Sequence, residues 1–182
     1  DHIIIEPEKR DTAAAMGLAC AHLLERFGDE TVCFVPSDHA ISDSGAFVSC
    51  LKTADRLVQK TGCLLDIAVV PTSPNTSLGY TRIGSNYEDE SRCVYRFLSH
   101  IEKPSLDRAE AFLKDGSYLW HASYYTWTPR KFLEAFDAYA PQMSDGLREI
   151  CELIVSKHSH EQMQKIHSIF SMIPKIYEPD HS

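Results

Sequence analysis

The sequence predicts an α/β fold in which a mostly parallel, mixed sheet is flanked by helices. Two short apolar runs, residues 31–35 and 64–70, are each followed by a proline and have the length of buried strands. Each run follows a longer segment whose apolar residues recur at helical spacing, at 12–27 and 44–61. Alternation of strands with helices of ten or more residues is typical of parallel strands joined by crossover helices.

Start and stop signals place these elements along the chain. Asp11 and Thr12 precede the first helix and Gly28 follows it, while Ser44 begins the second helix and Gly62 ends it. After Pro71 a loop rich in turn-forming residues leads into a second half with shorter strands. In this half we predict strands near 80–84, 94–102 and 119–127, and helices at 105–114, from 129, at 141–157 and at 159–170.

The length of 182 residues is that of one domain, so we expect a single α/β domain over residues 1–182. No internal repeat or low-complexity tract divides the sequence. The printed chain opens without Met on the apolar run 3–5, which reads as a strand with something before it. We therefore expect this to be a partial domain that lacks segments at both ends.

The composition of the chain argues against some classes of binding partner. A net charge of −8 argues against a nucleic-acid surface, which normally carries a basic face. Neither a membrane span nor a secretory leader is apparent, so we expect no membrane partner and a cytoplasmic location. The six cysteines lack the C-x-x-C spacing and are expected to be reduced core residues, without structural zinc.

The segment after the first strand carries the most informative acid. Residues 31–35 lead directly into Pro36, Ser37, Asp38 and His39. Ligands of open α/β sheets bind beyond the carboxyl ends of strands, where a carboxylate is placed to hold a metal-bound ligand. Taken alone, Asp38 could equally be a turn residue or a helix cap. His39 is expected to make a local hydrogen bond, because magnesium selects oxygen donors.

Three segments, in this order, carry a family resemblance. They are the stretch from Glu6 through Arg10 to Ala13, the segment Val35-Pro36-Ser37-Asp38-His39, and the triplet Glu102-Lys103-Pro104. Together they resemble the mannose-1-phosphate guanylyltransferases (GDP-mannose pyrophosphorylases), a branch of the sugar-phosphate nucleotidyltransferases. The resemblance implies a Rossmann-like nucleotidyltransferase fold that makes GDP-mannose and pyrophosphate from GTP and mannose 1-phosphate.

The resemblance also implies roles for individual residues on the nucleotide side. Arg10, Thr12 and Ala13 correspond to the family segment beside the nucleotide base, and Pro36 and Ser37 complete the nucleotide-binding set. Asp38 takes the position of the family Asp that binds the catalytic Mg²⁺. The structural alternative, in which Asp11 and Thr12 only cap a helix, is compatible with this role because a helix N-terminus suits an anionic ligand.

On the sugar side, the resemblance implies that Gly79, Glu102, Lys103 and His121 bind the sugar phosphate. Glu102 would accept hydrogen bonds from sugar hydroxyls, and Lys103 would neutralise the attacking phosphate. Adjacent strand residues point to opposite faces, so their cooperation would need a bend before Pro104. Asp38 and Lys103 are thus the two residues to which the resemblance assigns catalysis.

Departures from the family pattern leave alternatives open. His121 stands where the family has an amide that contacts the sugar, and Ser123 replaces a glycine. The Gly-rich loop that cradles the triphosphate in the family is absent from the printed sequence, as is its second metal-binding Asp. The chain could therefore be a non-catalytic sugar-nucleotide binding or regulatory domain, or could use another base or sugar 1-phosphate. A homodimer is also possible.

Overall fold

A computed structural model describes residues 3–87, 93–155 and 160–174. Within these residues helices and strands alternate as the sequence predicts, which confirms the α/β class. The elements are α1 (Thr12–Phe27), β1 (Val32–Cys33), α2 (Ser44–Thr61), β2 (Leu65–Val69), β3 (Tyr80–Asn86), β4 (Tyr95–Ile101), α3 (Leu106–Asp115), β5 (Tyr118–Trp127), α4 (Pro129–Tyr139), α5 (Pro141–Val155) and α6 (His160–Met172).

Helix termini follow their sequence signals, except at two N-caps. The backbone N–H of Gly28 closes α1, and the Thr128 hydroxyl accepts a 3.4 Å hydrogen bond from the Lys131 N–H at the start of α4. The side chain of Ser105 makes no capping bond at the start of α3, and that of Asp11 makes none at the start of α1. The Asp11 backbone has φ 77° and ψ 168°, which is outside the extended conformation that a capping side chain requires.

The sheet differs from the sequence expectation in its strand directions. Its order is β1-β5-β3-β4, and β2 also pairs with β5. The pairings β2–β5, β3–β4 and β3–β5 are all antiparallel, so the expected predominance of parallel strands is not found among the described residues. The prediction of parallel strands came from the long helices between strands in the first half of the chain. In the second half, β3 and β4 are consecutive strands joined by a short connection, which is typical of antiparallel pairing.

The two apolar runs are also less buried than predicted. The first forms only the two-residue strand β1, which is half-buried, and the second forms β2, which is half-buried with Val69 exposed. A continuous apolar run predicts a strand that is covered on both faces of the sheet. The described residues cover β1 and β2 only in part.

The chain divides into two compact units. The first takes its residues from the ranges 1–32, 57–63 and 127–182, and the second from 33–56 and 64–126. This division does not test the prediction of a single domain over 1–182, which stays a prediction. Among the described residues, no helix is long and apolar enough to span a membrane.

The first unit is built around a helical core. In it α1 packs on α4 and α5, and α5 packs on α6. The approach of α1 to α5 is close, because a Cβ placed at Gly17 would lie 2.6 Å from Leu147 Cδ1. Burial raises the pKa of the Cys20 thiol on α1 to about 12, as expected for a core cysteine. The fully buried side chains of this core include Ala14, Met143, Ile150 and Phe170.

The second unit holds the sheet and α3. Tyr80, at the start of β3, is completely buried and packs with Ala109 and Phe112 of α3. The Phe112 ring stacks on Tyr118 with centroids 4.0 Å apart. This cluster holds the start of β3 and the start of β5 in place, close in sequence to Gly79 and His121.

Candidate functional site

Four residues from three separate segments meet in the second unit. Gly79, directly before β3, accepts a 2.9 Å hydrogen bond at its carbonyl from the backbone N–H of His121 on β5. A Cβ placed at Gly79 would lie 2.6 Å from Glu102 Oε2, so this side chain lies directly over the glycine. Lys103 Nζ is 3.4 Å from Glu102 Oε1. The structure thus brings together all four residues predicted to bind the sugar phosphate.

The bend required between Glu102 and Lys103 is present. Lys103 has φ 41°, in the left-handed region that side chains other than glycine rarely adopt. This turn takes the chain out of the strand geometry that would separate the two side chains, and their charged groups form an ion pair. Lys103 keeps 66 % of its side chain exposed, which leaves the ammonium accessible to a ligand.

His121 is held by hydrogen bonds at both ring nitrogens. Its Nδ1 lies 2.8 Å from Asp66 Oδ2 on β2, and its Nε2 lies 2.9 Å from the Tyr125 hydroxyl. Ser123 Oγ is farther from Nε2, at 3.4 Å. Since a carboxylate oxygen only accepts, Nδ1 carries the proton in the bond to Asp66. His121 and Asp66 keep 13 % and 19 % of their side chains exposed, so their interaction is largely shielded from solvent.

A second histidine joins the cluster from β4. The His100 ring meets the His121 ring edge to face, with centroids 4.9 Å apart. His100 Nε2 is 3.0 Å from Glu102 Oε2, so Glu102 links the histidine pair to Lys103. We call Asp66, His100, His121 and Tyr125 the histidine cluster.

Sequence reasoning missed three members of the histidine cluster. Asp66 carried a usable signal, because it is an isolated acid inside an otherwise apolar strand and such a residue needs a buried partner. Tyr125 also carried one, since residues 121, 123 and 125 of a strand share one face. His100 carried none, because its position depends on the pairing of β4 with β3, which the sequence does not specify.

Asp38 lies in a turn directly after β1. Pro36 is half-buried, whereas Ser37 and Asp38 are exposed. The next residue fixes this turn to β5, because His39 Nδ1 lies 2.7 Å from the Tyr124 hydroxyl and the two rings pack edge to face. His39 thus forms a hydrogen bond, but its partner is distant in sequence, whereas a local bond was predicted.

The surroundings of Asp38 fit one mode of metal binding. In the described part of the chain, no group of three or more His, Cys, Asp or Glu side chains is placed to hold a metal ion. Magnesium, however, commonly binds one or two protein carboxylates and takes its other ligands from water and substrate phosphates. An exposed, single carboxylate such as Asp38 is compatible with that mode.

The residues predicted to contact the base lie in the first unit. Thr12 and Ala13 form the first turn of α1, with Thr12 exposed. The Arg10 guanidinium donates to Glu8 Oε2 at 2.9 Å and to the carbonyl of Ser171 in α6. Its Nε is buried without a hydrogen-bond partner among the described residues. Arg10 therefore has a structural role here, and its contact with a nucleotide stays a prediction.

Backbone strain marks the same segments. Among the described residues, the non-glycine residues with positive φ are Asp11, Lys103 and Ser123. Asp11 and Lys103 lie in segments that carry the sequence resemblance, and Ser123 occupies a position where the family has glycine. Strained backbone of this kind persists where the surrounding structure enforces it, and it clusters at functional sites.

Comparison with known proteins identifies the family. The profile of the nucleotidyl transferase family matches residues 2–167, which is most of the chain. The chain belongs to the nucleotidyl transferase family. The matched range contains every residue of the site, from Arg10 to Tyr125. The resemblance of the three segments is therefore confirmed at the level of this family.

Several curated nucleotidyl transferase relatives are similar along most of the chain. A mannose-1-phosphate guanylyltransferase of Klebsiella pneumoniae is 28% identical over 156 residues, which is 86% of this chain and 32% of the relative. A protein of the same name from Escherichia coli K12 is 30% identical over 159 residues, or 86% of this chain and 32% of the relative. The chain thus spans about a third of the length of these relatives.

Two solved structures share the fold. One, from Thermus thermophilus, is described as a mannose-1-phosphate geranyltransferase and has a TM-score of 0.74 with 26% identity, covering 95% of this chain and 47% of that chain. The other, from Helicobacter pylori, is described as a mannose-6-phosphate isomerase and has a TM-score of 0.66 with 26% identity, covering 94% and 66%. Structures of mannose-phosphate enzymes are thus among those that share this nucleotidyl transferase fold.

Proposed function

We propose that this protein transfers a guanylyl group from GTP to mannose 1-phosphate, giving GDP-mannose and pyrophosphate. The observation that carries the proposal is the convergence of Gly79, Glu102, Lys103 and His121, which come from separate segments and form one connected polar cluster. Relatives named mannose-1-phosphate guanylyltransferase, about 30% identical, support the choice of sugar and base.

The reaction needs little covalent chemistry from the protein. A phosphate oxygen of mannose 1-phosphate attacks the α-phosphorus of GTP, and pyrophosphate leaves with the electron pair of the broken P–O bond. A phosphate monoester is ionised near neutral pH, so no general base is required. Rate enhancement then depends on alignment of the reactants and on neutralisation of charge. In this proposal Lys103 neutralises the sugar phosphate and Glu102 accepts hydrogen bonds from sugar hydroxyls.

Magnesium is the metal that the proposal requires, and Asp38 is the residue that would hold it. The exposed Asp38 carboxylate in the turn after β1 is an oxygen donor of the type Mg²⁺ prefers. When bound, the ion would neutralise charge on the transferred phosphoryl group. On the nucleotide side we assign Pro36 and Ser37, and with them Arg10, Thr12 and Ala13, to binding of the guanine nucleotide.

The test is a transfer assay on the complete product of the gene that encodes this chain. GTP, UTP and dTTP are each paired with mannose 1-phosphate and glucose 1-phosphate in the presence of Mg²⁺, and nucleotide sugar and pyrophosphate are quantified. We expect GDP-mannose as the dominant product. Another nucleotide sugar as the main product would change the base or the sugar. Tight binding of GDP-mannose without any product would overturn the transferase proposal and favour a sugar-nucleotide binding domain.

A further inference from the structure

The sugar side of the site contains a histidine that the sequence resemblance does not assign. His100 Nε2 lies 3.0 Å from Glu102 Oε2. We propose that His100 is a positioning residue that fixes the Glu102 carboxylate, and that it thereby makes the protein select sugar 1-phosphates by the position of one hydroxyl group. The inference rests on the proposed function, because the sugar 1-phosphate is the acceptor substrate of that reaction.

The sheet fixes the position of His100. His100 lies opposite Thr81 in the antiparallel pairing of β4 with β3. Its ring also meets the His121 ring of β5 edge to face, with centroids 4.9 Å apart. Backbone pairing and ring contact therefore hold the imidazole independently of Glu102. A side chain that is held in this way can orient a more flexible neighbour.

Glu102, in contrast, lies just beyond the strand. It follows the last residue of β4 and precedes Lys103, whose φ of 41° turns the chain away from strand geometry. A glutamate side chain rotates about three bonds, and ordering it costs conformational entropy. His100 contacts its Oε2, and Lys103 Nζ lies 3.4 Å from its Oε1. Both carboxylate oxygens are thus held before a ligand binds, which gives their remaining lone pairs fixed directions.

The backbone at Gly79 makes room for this pair of side chains. A Cβ at Gly79 would lie 2.5 Å from His100 Cε1 and 2.6 Å from Glu102 Oε2. The two side chains therefore occupy the volume that a side chain at position 79 would fill. His100 thus belongs to the same packed arrangement as Gly79 and Glu102, which the resemblance assigns to the sugar phosphate.

The hydrogen bond has a defined donor. A carboxylate oxygen only accepts, so Nε2 of His100 carries the proton in the bond to Glu102. Nε2–H is present both in the imidazolium and in one neutral tautomer of the ring. The bond therefore needs a donor at the position of Nε2 and does not need a positive charge on His100. A glutamine, whose amide N–H can reach that position, should replace it.

A fixed carboxylate has a consequence for the choice of substrate. Glu102 accepts hydrogen bonds from hydroxyl groups and repels phosphate, so it serves the sugar ring. A site built to bond one hydroxyl group rejects an analogue that lacks it, because the acceptor is left unpaired. A carboxylate that rotates freely can bond another hydroxyl group or water instead, which reduces the penalty. His100 should therefore control selectivity for one position of the sugar ring.

The experiment measures transfer from GTP to mannose 1-phosphate and to its 2-, 3-, 4- and 6-deoxy analogues, with the complete product of the gene. Selectivity is the ratio of kcat/KM for mannose 1-phosphate to kcat/KM for each analogue. His100→Phe keeps a ring and removes the donor, whereas His100→Gln keeps a donor. His100→Leu is a second variant without a donor. The matched control is His167→Phe, which changes an exposed histidine of α6.

We expect His100→Phe and His100→Leu to lower the ratio for one analogue about tenfold and to leave the other ratios within about twofold of wild type. His100→Gln should keep all the wild-type ratios, and the KM for GTP should be unchanged in each variant. Circular dichroism shows which variants are folded. Unchanged ratios in the variants without a donor would overturn the inference. A loss in His100→Gln equal to that in His100→Phe would also overturn it, because ring shape and not the hydrogen bond would then be responsible.

A double variant tests whether His100 acts through Glu102. Glu102→Ala should lower the same ratio, and adding His100→Phe to it should cause no further loss, because a positioning residue acts only through its partner. Additive losses would show that His100 acts on the substrate independently of Glu102 and would overturn its positioning role.

The outcomes separate this inference from the proposed function. Normal transfer to mannose 1-phosphate by the wild type, with unchanged selectivity in His100→Phe, overturns the inference alone. A wild-type protein that makes no nucleotide sugar from any of these acceptors overturns the proposed function, and the substrate of the inference with it. A fall in a single ratio supports both, and the analogue concerned identifies the hydroxyl group that Glu102 bonds.

Discussion

The backbone N–H of His121 donates to the carbonyl oxygen of Gly79 at 2.9 Å. This bond extends the antiparallel pairing of β3 with β5, in which Tyr80 lies opposite Trp120. It places His121, which stands where the family has an amide, beside Gly79, which the sequence resemblance assigns to the sugar phosphate. The position of His121 is therefore set by the sheet, and a ligand would meet a preformed arrangement.

Gly79→Ala should weaken sugar-phosphate binding without unfolding the protein. The added Cβ would lie 2.5 Å from His100 Cε1 and 2.6 Å from Glu102 Oε2, so both side chains must rotate away. These are the ends of flexible side chains, so the fold can accommodate the change. We expect the KM for mannose 1-phosphate to rise about tenfold, equivalent to about 1.4 kcal/mol, with the KM for GTP unchanged.

The matched control for this substitution is Gly45→Ala in α2. Its Cβ would meet only Asp43 Oδ1, at the ordinary contact distance of 3.4 Å. Alanine is favoured over glycine in a helix, so this variant should be as stable as the wild type or more so. A Gly79→Ala enzyme with unchanged kinetics would mean that the space above Gly79 is not used by the sugar phosphate.

Lys103→Ala should affect the sugar phosphate far more than the nucleotide. The Lys103 ammonium pairs with Glu102 and is two-thirds exposed, so its removal costs little stability. We expect the KM for mannose 1-phosphate to rise about tenfold or more and the KM for GTP to change less than about twofold. Lys114→Ala, which removes an exposed lysine in the last turn of α3, is the control. Equal losses for both substrates would place Lys103 at the triphosphate instead.

Asp38→Asn should reduce turnover by about a hundredfold, because it removes a carboxylate without changing side-chain volume. The concentration of Mg²⁺ needed for half-maximal rate should rise at the same time. The control is Asp55→Asn, which changes an exposed acid of α2. Tm should be unaffected in both variants. Normal turnover with normal magnesium dependence in Asp38→Asn would remove Asp38 from the mechanism.

The first unit should lose a local contribution to stability in acid. Hydrogen bonds from the Ser144 hydroxyl and from Arg148, whose Nη2 is 2.7 Å away, lower the pKa of Asp137 from its ordinary value of 3.8. A carboxyl whose pKa is lowered on folding stabilises the fold above its unfolded pKa, and this contribution is lost as pH falls through the folded pKa.

Asp137→Asn should therefore lower Tm at about pH 6, and the difference from wild type should shrink toward zero as pH falls through the lowered pKa of Asp137. Thermal unfolding monitored by circular dichroism measures both values. Asp145→Asn is the control, because Asp145 is 92 % exposed and lies 3.9 Å from Arg148 Nη1. A Tm difference that persists unchanged in acid would show that Asp137 acts through its shape and not through its charge.

Residues at the helix ends predicted the helix boundaries well. Gly28 follows the end of α1 and Gly62 follows the end of α2 as expected, and α4 begins at Pro129 as predicted. These outcomes depend on backbone conformations that one or two residues determine by themselves. The direction of strand pairing depends instead on contacts between distant segments, which is why the antiparallel sheet was not predicted.

The same distinction applies to the candidate site. The motif residues Gly79, Glu102, Lys103 and His121 were found because each belongs to a recognisable segment. The histidine cluster was not found, because Asp66 and His121 become neighbours only when β2 pairs with β5. An acid inside an apolar strand shows that a partner must exist, but it does not say which residue that partner is.

The close packing of α1 against α4 and α5 has a consequence for synthesis. About a hundred residues separate the end of α1 at Phe27 from the start of α4 at Pro129. At typical elongation rates of about 5–20 residues per second, the ribosome needs roughly 5–20 s to make that stretch. The face of α1 that packs on α4 and α5 lacks both of these helices during this interval. Co-translational chaperones should therefore bind α1 in nascent chains and leave it once α5 has emerged.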